Sequence, residues 1–346
     1  MKKIIVTGIT GQDGSYMVDF LLKNTEDYII GGIRRLSVKN HKNIEHFLNH
    51  PRFKLIDLDI TDQANVDEVV REWKPDYFIN FAANSFVGNS WVMPVNHMNT
   101  NCMAVLYQLE AIRKYAPECR YYNAGSSEEF GDVLTVPQGE DHPLRPRSPY
   151  GVSKCAARHM VKVYRESYSL FAVQGWLFNH ESERRGEEFV TQKICKNVIR
   201  IRRALDQDPE NILPLELGNL SAKRDWSHAE DMVEGVWLML NSDKPKEYVL
   251  ASGETHTVRE FVEMAFDFVG IDGKWRGEGL ETEFVDPKTN AVLVKINKEF
   301  YRPAEVELLL GDPYKAQKEL GWQKKVDFPA LVRRMVQNEV KEKNAT

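Results

Sequence analysis

The sequence predicts an α/β protein in which a doubly wound parallel sheet is joined to a smaller, discontinuous α/β domain. In the first half of the 346-residue chain, short apolar runs alternate with longer amphipathic ones. Strict alternation of strand and helix gives right-handed βαβ units and a parallel sheet covered on both faces. A glycine-rich turn follows the first apolar run, and the alternation breaks near residue 179, where a second unit is expected.

The elements of the first half follow from this alternation. Each apolar run is bounded by turn residues and predicts a strand, and each amphipathic segment between two runs predicts a helix. The predicted strands are KKIIVTG, YIIGGIRR, FKLIDLDI, YFINFAA, RYYNAGS and FAVQGWLF, and the predicted helices cover residues 15–23, 64–73, 95–114 and 149–168.

The second half has a mixed pattern. We expect a basic helix over 190–205, a strand at LELGN, an amphipathic helix at VREFVEMAFDFVGI, and an extended connection with one short helix over 290–312. The strand EYVLAS is expected to return to the first sheet. The first domain is therefore predicted to comprise residues 1–178 and about 245–255, and the second 179–244 and 256–340.

Composition narrows the class of protein. Hydrophobic residues make up 42% of the chain, charged residues 28%, and the formal net charge is −5. These values predict a soluble globular protein, and the charge gives no support to nucleic-acid binding. No apolar run reaches membrane-spanning length. The four cysteines are scattered without a CxxC pair, so we expect reduced thiols in a cytoplasmic protein and no metal site.

The turn after the first strand has the spacing GxxGxxG, formed by Gly8, Gly11 and Gly14 with Gln12 and Asp13 between them. Glycines let the backbone approach a pyrophosphate, and the amides at the start of the next helix favour negative charge. Because the turn lies between the first strand and the first helix, it predicts a dinucleotide site on a Rossmann sheet.

The second strand is followed by Arg34 and Arg35, with Ser37 close behind. An NAD site usually places an acidic residue here, whereas paired guanidinium groups suit the 2′-phosphate of NADP. A solvated basic turn is the alternative. We expect NADP, with Asp59 and Ile60 beside the adenine. Asp62 is a better candidate than Asp59 for the cap of the next helix, and the predicted cofactor contacts also include Ala82.

The segment SPYGVSK places Tyr150 and Lys154 four residues apart, on one face of a predicted helix. An ammonium beside a phenol is expected to lower the phenol pKa, so that the tyrosine can accept a proton from a sugar hydroxyl. Ser126 and Glu128 lie upstream. Strand alternation is expected to turn both toward the site, and their neighbours Ser127 and Glu129 away. YxxxK also occurs by chance on many helices.

These features together resemble the extended short-chain dehydrogenase/reductases. Within that superfamily the chain resembles the GDP-mannose 4,6-dehydratase family over nearly its whole length. The segments that carry this narrower resemblance are TGITGQDGSY at 7–16, FNHESERRGEEFVTQKI at 178–194, LGNLSAKRDWSHAEDMVE at 217–234 and FYRPAEVELLLGDPYKAQKELGW at 300–322.

The resemblance implies oxidation at C4 of a GDP-bound hexose, loss of water across C5 and C6, and return of the hydride to C6. It implies that Tyr150 deprotonates the C4 hydroxyl, that Lys154 holds the cofactor ribose, and that Ser126 holds the C4 oxygen. The resemblance assigns Glu128 to removal of the C5 proton. A simple reductase or epimerase has no need of that base, so the carboxylate favours dehydration.

The resemblance further implies that the second domain binds the GDP-sugar and that the protein forms a homodimer or homotetramer. It implies substrate contacts from residues in four segments: Ser85, Asn179, Val190, Lys193, Leu217, Asn219, Arg224 and Arg302.

The chain departs from the family pattern at three positions. Gly125 stands where the family usually has serine, Glu183 where proline precedes RRG, and Ser227 where glycine is usual. A glycine at 125 is expected to leave a less crowded cavity floor, which keeps GDP-manno-heptose open as a substrate beside GDP-mannose. Two further functions stay open: a reductase or epimerase without elimination, and a catalytically silent nucleotide-binding regulator.

Overall fold

In a computed structural model of the chain, the structure describes residues 1–35, 37–38, 40–208, 211–301, 306 and 308–344. Its strands, in chain order, are β1 (Lys3–Thr7), β2 (Tyr28–Ile33), β3 (Phe53–Asp57), β4 (Tyr77–Asn80), β5 (Arg120–Ala124), β6 (Ala172–Leu177), β7 (Asn179–Glu181), β8 (Leu215–Leu217), β9 (Lys223–Arg224), β10 (Trp226–His228), β11 (Val249–Leu250), β12 (His256–Thr257), β13 (Lys274–Arg276), β14 (Glu283–Val285) and β15 (Val292–Ile296).

The described residues form ten α-helices. In chain order they are α1 (Gln12–Asn24), α2 (Gln63–Trp73), α3 (Pro94–Met98), α4 (Ala104–Tyr115), α5 (Pro149–Tyr168), α6 (Val190–Gln207), α7 (Ala229–Leu240), α8 (Val258–Asp267), α9 (Tyr314–Leu320) and α10 (Phe328–Asn344).

The larger sheet confirms the predicted doubly wound fold. Its strands follow the order β11-β6-β5-β4-β1-β2-β3, and every adjacent pair is parallel. The returning strand is β11, which pairs with β6. A parallel sheet of this kind gathers the carboxyl ends of its strands at one edge, where ligands bind.

Local signals explain where the helices of this half begin. Asp62 caps α2, its side chain accepting hydrogen bonds from the amides of Ala64 and Asn65, as predicted. Ser148 caps α5 in the same way, with Pro149 in the first turn. Helix α1 begins at Gln12, three residues before the predicted start, because the glycine turn leads directly into it.

The second unit packs α6, α8 and α10 against a mixed sheet of order β13-β14-β15-β8. Its core includes Phe261, Phe284 and Phe328, all buried. The prediction of an extended connection over 290–312 was wrong in part. Val292–Ile296 forms β15, which pairs with β14 and β8, while the short helix is a single 3₁₀ turn at Lys298–Phe300.

The core of the larger sheet extends beyond the predicted first domain. Met232, Val236 and Met239 of α7 are fully buried in it beside α1 and β1. Trp322 is buried there too and donates a hydrogen bond to the Asp231 carbonyl at 2.7 Å. This packing moves α7 out of the range 179–244 expected for the second domain, and the rest of the domain division stays a prediction.

Two further features concern the class of protein. All four cysteines are buried free thiols. Within the described part of the chain, no helix combines the length and apolar character that a membrane span needs.

Candidate active site

A cavity of about 760 Å³ opens at the carboxyl edge of the larger sheet, against the second unit. We call it the main cavity. Its walls include Ala83 after β4, Gly125 after β5 and Asn179 after β6, together with residues of α5, α6 and β8. This is the edge at which parallel α/β sheets bind ligands.

The turn after β5 places Ser126 and Glu128 in the main cavity. Ser126 caps a 3₁₀ helix, Ser127–Glu129, and its hydroxyl accepts a hydrogen bond from the Glu128 amide at 3.2 Å. The expected strand alternation was therefore wrong in part: Ser126 and Glu128 face the cavity and Glu129 does not, as expected, but the segment is a 3₁₀ turn and not a strand. Ser127 also lines the cavity, whereas Glu129 is fully buried and its carboxylate bonds the Ser126 amide at 2.8 Å.

Helix α5 presents Tyr150 and Lys154 to the same cavity. The Lys154 ammonium donates to the Ala124 carbonyl at 2.8 Å and lies 5.9 Å from the centre of the Tyr150 ring. Burial lowers the pKa of Lys154 to about 8. The shared face of the helix is thus confirmed.

The expectation that Lys154 lowers the pKa of Tyr150 is wrong for the protein by itself. Burial raises the pKa of Tyr150 well above its ordinary value, and a hydrogen bond with the Ser126 hydroxyl acts in the opposite direction. Burial removes the hydration that would stabilise the phenolate, and the hydrogen bond from Ser126 makes up for only part of that loss.

The glycine turn fits a dinucleotide. Gly8 has a φ of +69°, and a Cβ there would lie 2.7 Å from the Ala82 amide nitrogen. A Cβ on Gly14 would lie 2.4 Å from the Gly8 carbonyl oxygen, and one on Gly11 3.2 Å from the same atom. Each glycine therefore keeps the backbone close to the start of α1, where a pyrophosphate needs free approach to amide groups.

Gln12 and Asp13 connect this turn to strand β7 through hydrogen bonds and an ion pair. Gln12 Nε2 donates to the Asp13 carboxylate at 3.0 Å and to the His180 carbonyl at 3.1 Å. The Asp13 carboxylate also lies 3.0 Å from His180 Nε2. Burial opposes its charge, but His180 holds the pKa of Asp13 at about 2. With this low pKa, Asp13 is anionic at neutral pH. It also lines the main cavity beside the predicted cofactor turn.

A smaller cavity of about 490 Å³ lies at the ends of β2 and β3. The predicted cofactor residues Arg34, Arg35 and Asp59 line it, and the two arginines are exposed. Ile60 is buried, and Ser37 is exposed. The smaller cavity thus combines guanidinium groups with a carboxylate, Asp59, that accepts a hydrogen bond from the Thr61 hydroxyl at 2.7 Å.

Seven of the eight predicted substrate residues line the main cavity, and Arg302 lies outside the described residues. Asn179 brings a buried Oδ1 that has no hydrogen-bond partner among the described atoms. Lys193 lies 3.7 Å from the centre of the Phe300 ring. The residues brought together are Ser85, Asn179, Val190, Lys193, Leu217, Asn219 and Arg224.

The sequence reasoning missed several lining residues. Arg185 lies 3.5 Å over the Phe189 ring with its Nε 3.0 Å from the Glu181 carboxylate, and it brings a guanidinium to the cavity. Its signal was present in the ERRGEEF segment. Phe86 and Trp91 also line the cavity. Trp91 ends a short 3₁₀ helix, Val87–Trp91, and Phe86 directly precedes it; apolar periodicity does not reveal such a segment.

Gly125 does not enlarge the cavity, which corrects the expectation drawn from the sequence. A Cβ at this position would point into the protein, 2.2 Å from the Gly175 carbonyl oxygen, 2.8 Å from an Arg158 nitrogen and 2.9 Å from the Glu129 carboxylate. The glycine makes room for the neighbouring strand and a buried ion pair. The support it gave to a larger sugar therefore falls away.

We expect Gly125→Ser to lower the free energy of unfolding by about 1–3 kcal/mol, because the added atoms overpack a closed site. The ratio of rates on GDP-mannose and GDP-manno-heptose is expected to stay within about twofold, since the pocket wall is unchanged. Denaturant unfolding measures the stability, and rates on the two sugars measured side by side give the ratio.

Gly139→Ser is the matched control, because its Cβ would meet its nearest neighbour at 4.0 Å. Undiminished stability with a changed rate ratio would contradict this view.

The other two departures lie together behind the glycine turn. The Glu183 carboxylate accepts a hydrogen bond from the Tyr16 hydroxyl at 2.8 Å and lies 3.2 Å from His228 Nε2. Despite burial, His228 and Tyr16 hold the pKa of Glu183 at about 2. Ser227, the residue before His228, is fully buried. Neither departure adds or removes a group of the main cavity.

The parallel sheet, the glycine turn, the serine after β5 and the tyrosine and lysine of α5 define a short-chain dehydrogenase/reductase of the extended type. Solved structures agree on the fold. The dTDP-glucose 4,6-dehydratase of Streptomyces venezuelae, determined with NAD bound, is 22% identical with a TM-score of 0.83, over 99% of this chain and 98% of that one. The UDP-glucose 4-epimerase of Thermus thermophilus, in complex with NAD, is 25% identical with a TM-score of 0.77, over 98% and 99%.

Sequence comparison gives the particular family. The family model for GDP-mannose 4,6 dehydratase matches residues 5–335. The GDP-mannose 4,6 dehydratase of Drosophila melanogaster is 43% identical, over 98% of this chain and 86% of that protein. The human GDP-mannose 4,6 dehydratase is 41% identical, over 97% and 91%. The chain belongs to the GDP-mannose 4,6-dehydratase family.

Proposed function

We propose that the protein is an NADP-dependent nucleotide-sugar 4,6-dehydratase that converts GDP-mannose to GDP-4-keto-6-deoxymannose. One observation carries the proposal: Glu128 shares the main cavity with Ser126, Tyr150 and Lys154. The last three serve a reductase or an epimerase equally well. Elimination across C5 and C6 needs a base in addition, so the fourth group favours dehydration.

The glycine turn and the start of α1 would hold the pyrophosphate of the cofactor, because the glycines leave its amides accessible. Tyr150 and Lys154 would face the nicotinamide end of the cofactor. When bound, NADP supplies the acceptor that takes a hydride from C4 of the sugar and gives it back at C6. Asp59 and Ile60 are assigned to the adenine side.

Tyr150 moves the proton at the C4 oxygen of the sugar in this proposal. Ser126, hydrogen-bonded to Tyr150, holds that oxygen within reach of the phenol. Burial raises the Tyr150 pKa, so the phenolate needs a nearby positive charge to form when the ligands fill the site. Lys154 supplies one such charge at 5.9 Å from the ring.

Glu128 acts on the next two positions of the sugar. Once C4 is a ketone, the C5 hydrogen becomes acidic, and the Glu128 carboxylate accepts that proton. The C6 hydroxyl then leaves as water after receiving a proton, for which the protonated Glu128 is the donor. These two proton transfers balance, so Glu128 returns to its starting state. When the hydride is given back at C6, C5 takes up one proton, which balances the proton that Tyr150 removed from the C4 hydroxyl.

Cationic and amide groups on the far side of the main cavity are assigned to the GDP moiety. Arg224 brings positive charge for the diphosphate, and Arg302 joins it by the family resemblance. The buried Asn179 Oδ1 has no protein partner among the described atoms and can accept a hydrogen bond from the ligand. Ser85 is assigned to the sugar, and the guanosine is assigned to Val190, Lys193, Leu217 and Asn219.

For the cofactor preference, we expect Arg35→Ala to weaken NADP binding by about tenfold, because a charge-assisted hydrogen bond to the 2′-phosphate is lost. Affinity for NAD, which lacks that phosphate, is expected to change less than about twofold. Calorimetric titration of both dinucleotides measures this difference. Arg71→Ala, also exposed and on α2, is the control. Equal loss of both dinucleotides would count against NADP.

We also propose a homodimer or homotetramer, on the strength of the family resemblance. Exposed apolar side chains on α5, among them Val152 and Val163, are consistent with a partner surface. Sedimentation equilibrium of the purified chain would give the number of subunits, and a monomer at micromolar concentration would refute the proposal.

The function itself is tested by incubating the purified chain and NADP with GDP-mannose and, separately, with GDP-manno-heptose. A 4-keto-6-deoxy product from GDP-mannose, formed without net accumulation of NADPH, supports the proposal. Stoichiometric turnover of the cofactor would indicate a dehydrogenase instead. A faster reaction of GDP-manno-heptose would change the assigned substrate while keeping the reaction.

A further inference from the structure

A buried ion pair lies directly behind the turn that carries Ser126 and Glu128, which we call the catalytic turn. Glu129 is fully buried and Arg158 of α5 is 3% exposed, and Arg158 Nε lies 2.5 Å from Glu129 Oε2. Neither side chain lines the main cavity. Burying two charges costs hydration free energy that their attraction only partly returns, so stability by itself is a weak reason for the pair.

The Glu129 carboxylate connects two of the proposed catalytic residues. Its Oε1 accepts hydrogen bonds from the Ser126 amide at 2.8 Å and from Gln174 Nε2 at 3.1 Å. The same Gln174 nitrogen donates to the Lys154 carbonyl at 3.0 Å. One carboxylate thus joins the turn that carries Ser126 to the helix that carries Lys154.

Arg158 is itself fixed from several directions. Its Nη1 donates to the Gln174 carbonyl at 2.6 Å and lies 3.1 Å from the Glu247 carboxylate. The guanidinium stacks 3.4 Å over the Trp176 ring. A planar guanidinium held by two carboxylates, a carbonyl and a ring has little freedom, and it fixes the orientation of Glu129.

The pair also ends a row of hydrogen-bonded side chains across the sheet. Gln174 Oε1 accepts from Asn123 at 2.6 Å, and Asn123 Oδ1 accepts from Asn80 at 2.8 Å. Asn80 Oδ1 accepts from the Thr7 hydroxyl at 2.6 Å. These four residues are register partners on β6, β5, β4 and β1. The row therefore runs from the glycine turn to the catalytic turn.

We propose that Glu129, oriented by Arg158, is a positioning residue that sets the distance between the Ser126–Glu128 turn and the Tyr150–Lys154 helix. The inference rests on the proposed function for its kinetic consequence. A displacement of about 1 Å between reacting groups can cost about a hundredfold in rate. A link made through the backbone of Ser126 and Lys154 controls such a distance without touching the substrate.

The test compares Glu129→Gln with Asp231→Asn. Asp231 is also a buried carboxylate that accepts two backbone amides, at 3.0 and 3.1 Å, but it lies away from the main cavity. Glu129→Gln turns an amide group toward Arg158 and is expected to lower kcat by at least about tenfold, with the KM for GDP-mannose within about twofold. Asp231→Asn is expected to lower Tm without changing kcat.

A second readout needs no substrate. Hydrogen–deuterium exchange of the segment 125–130 is expected to become faster in Glu129→Gln and to stay unchanged in Asp231→Asn. If the wild-type chain fails to convert GDP-mannose, the proposed function fails, while the exchange result still tests the positioning role.

Arg158→Lys keeps a positive charge beside Glu129. It loses the hydrogen bond that the guanidinium donates to the Gln174 carbonyl. Its kcat is expected to fall between those of the wild type and Glu129→Gln, so it carries the test if Glu129→Gln does not fold. Unchanged kcat and unchanged exchange in both folded variants would overturn the proposal. A kcat loss no greater than that of Asp231→Asn at equal loss of Tm would overturn it too.

Discussion

Glu128→Gln is expected to lower the rate of 4-keto-6-deoxy product formation by about 10²–10⁴-fold, the range for loss of a general acid–base group. The amide keeps the size of the carboxylate but accepts no proton from C5. Affinity for NADP is expected to stay within about twofold, because Glu128 belongs to the turn after β5 and not to the glycine turn.

The measurement follows product by NMR and the exchange of the C5 hydrogen with deuterated solvent. Both are expected to fall together in Glu128→Gln. Glu140→Gln is the matched control, since its carboxylate accepts the Val249 amide at 2.8 Å and lies outside the main cavity. If Glu128→Gln formed product at the wild-type rate, another group would be the base, and the dehydratase assignment would lose its main support.

Tyr150→Phe is expected to abolish turnover to a similar extent, about 10²–10⁴-fold, because the group that takes the C4 proton is removed. The buried ring remains in place, so the fold is expected to tolerate the change. Tyr122→Phe provides a close control. The Tyr122 hydroxyl is buried without a hydrogen-bond partner among the described atoms, so its removal leaves the site intact.

Steady-state rates on GDP-mannose and thermal unfolding of both variants check this prediction. The expected pattern is loss of activity in Tyr150→Phe at a Tm close to that of Tyr122→Phe. Equal activity of the two variants would move the proton transfer away from Tyr150. A large Tm loss in Tyr150→Phe with activity per folded molecule retained would assign the hydroxyl to stability instead.

The sequence was sufficient for most of the larger sheet because its strands are buried on both faces and its helices have clear caps. The predicted helix 149–168 has the bounds of α5, where Ser148 and Pro149 mark the start. Strand β11 was found by its apolar run although it is far from β6 in the chain. These are local signals, and the fold needs them to agree with the tertiary packing.

The errors came from features that depend on tertiary contacts. Strand alternation failed at Ser126–Glu128 because the Glu129 side chain bonds back to the Ser126 amide and closes a 3₁₀ turn. Helix α7 joined the first core because its apolar face packs on α1, which periodicity cannot assign to one sheet or the other. Gly125 was misjudged because the direction of a missing side chain depends on Gly175 and Arg158, which lie far away in sequence.

The candidate site was predictable to a different degree at its two ends. Tyr150 and Lys154 follow from helical spacing, and the glycine turn follows from its place after β1. The pKa of Tyr150 did not follow, because it depends on how deeply the phenol is buried. The substrate side rested on the family resemblance, and the structure brings all its described members to one cavity.

A deuterium label placed at C4 of GDP-mannose tests directly whether one hydride leaves the sugar and returns to it. We expect the label at C6 of the 4-keto-6-deoxy product, while C5 takes hydrogen from the solvent. A product without deuterium at C6, or a label that appears in solvent or in free NADPH, would contradict a dehydration in which the same hydride leaves and returns.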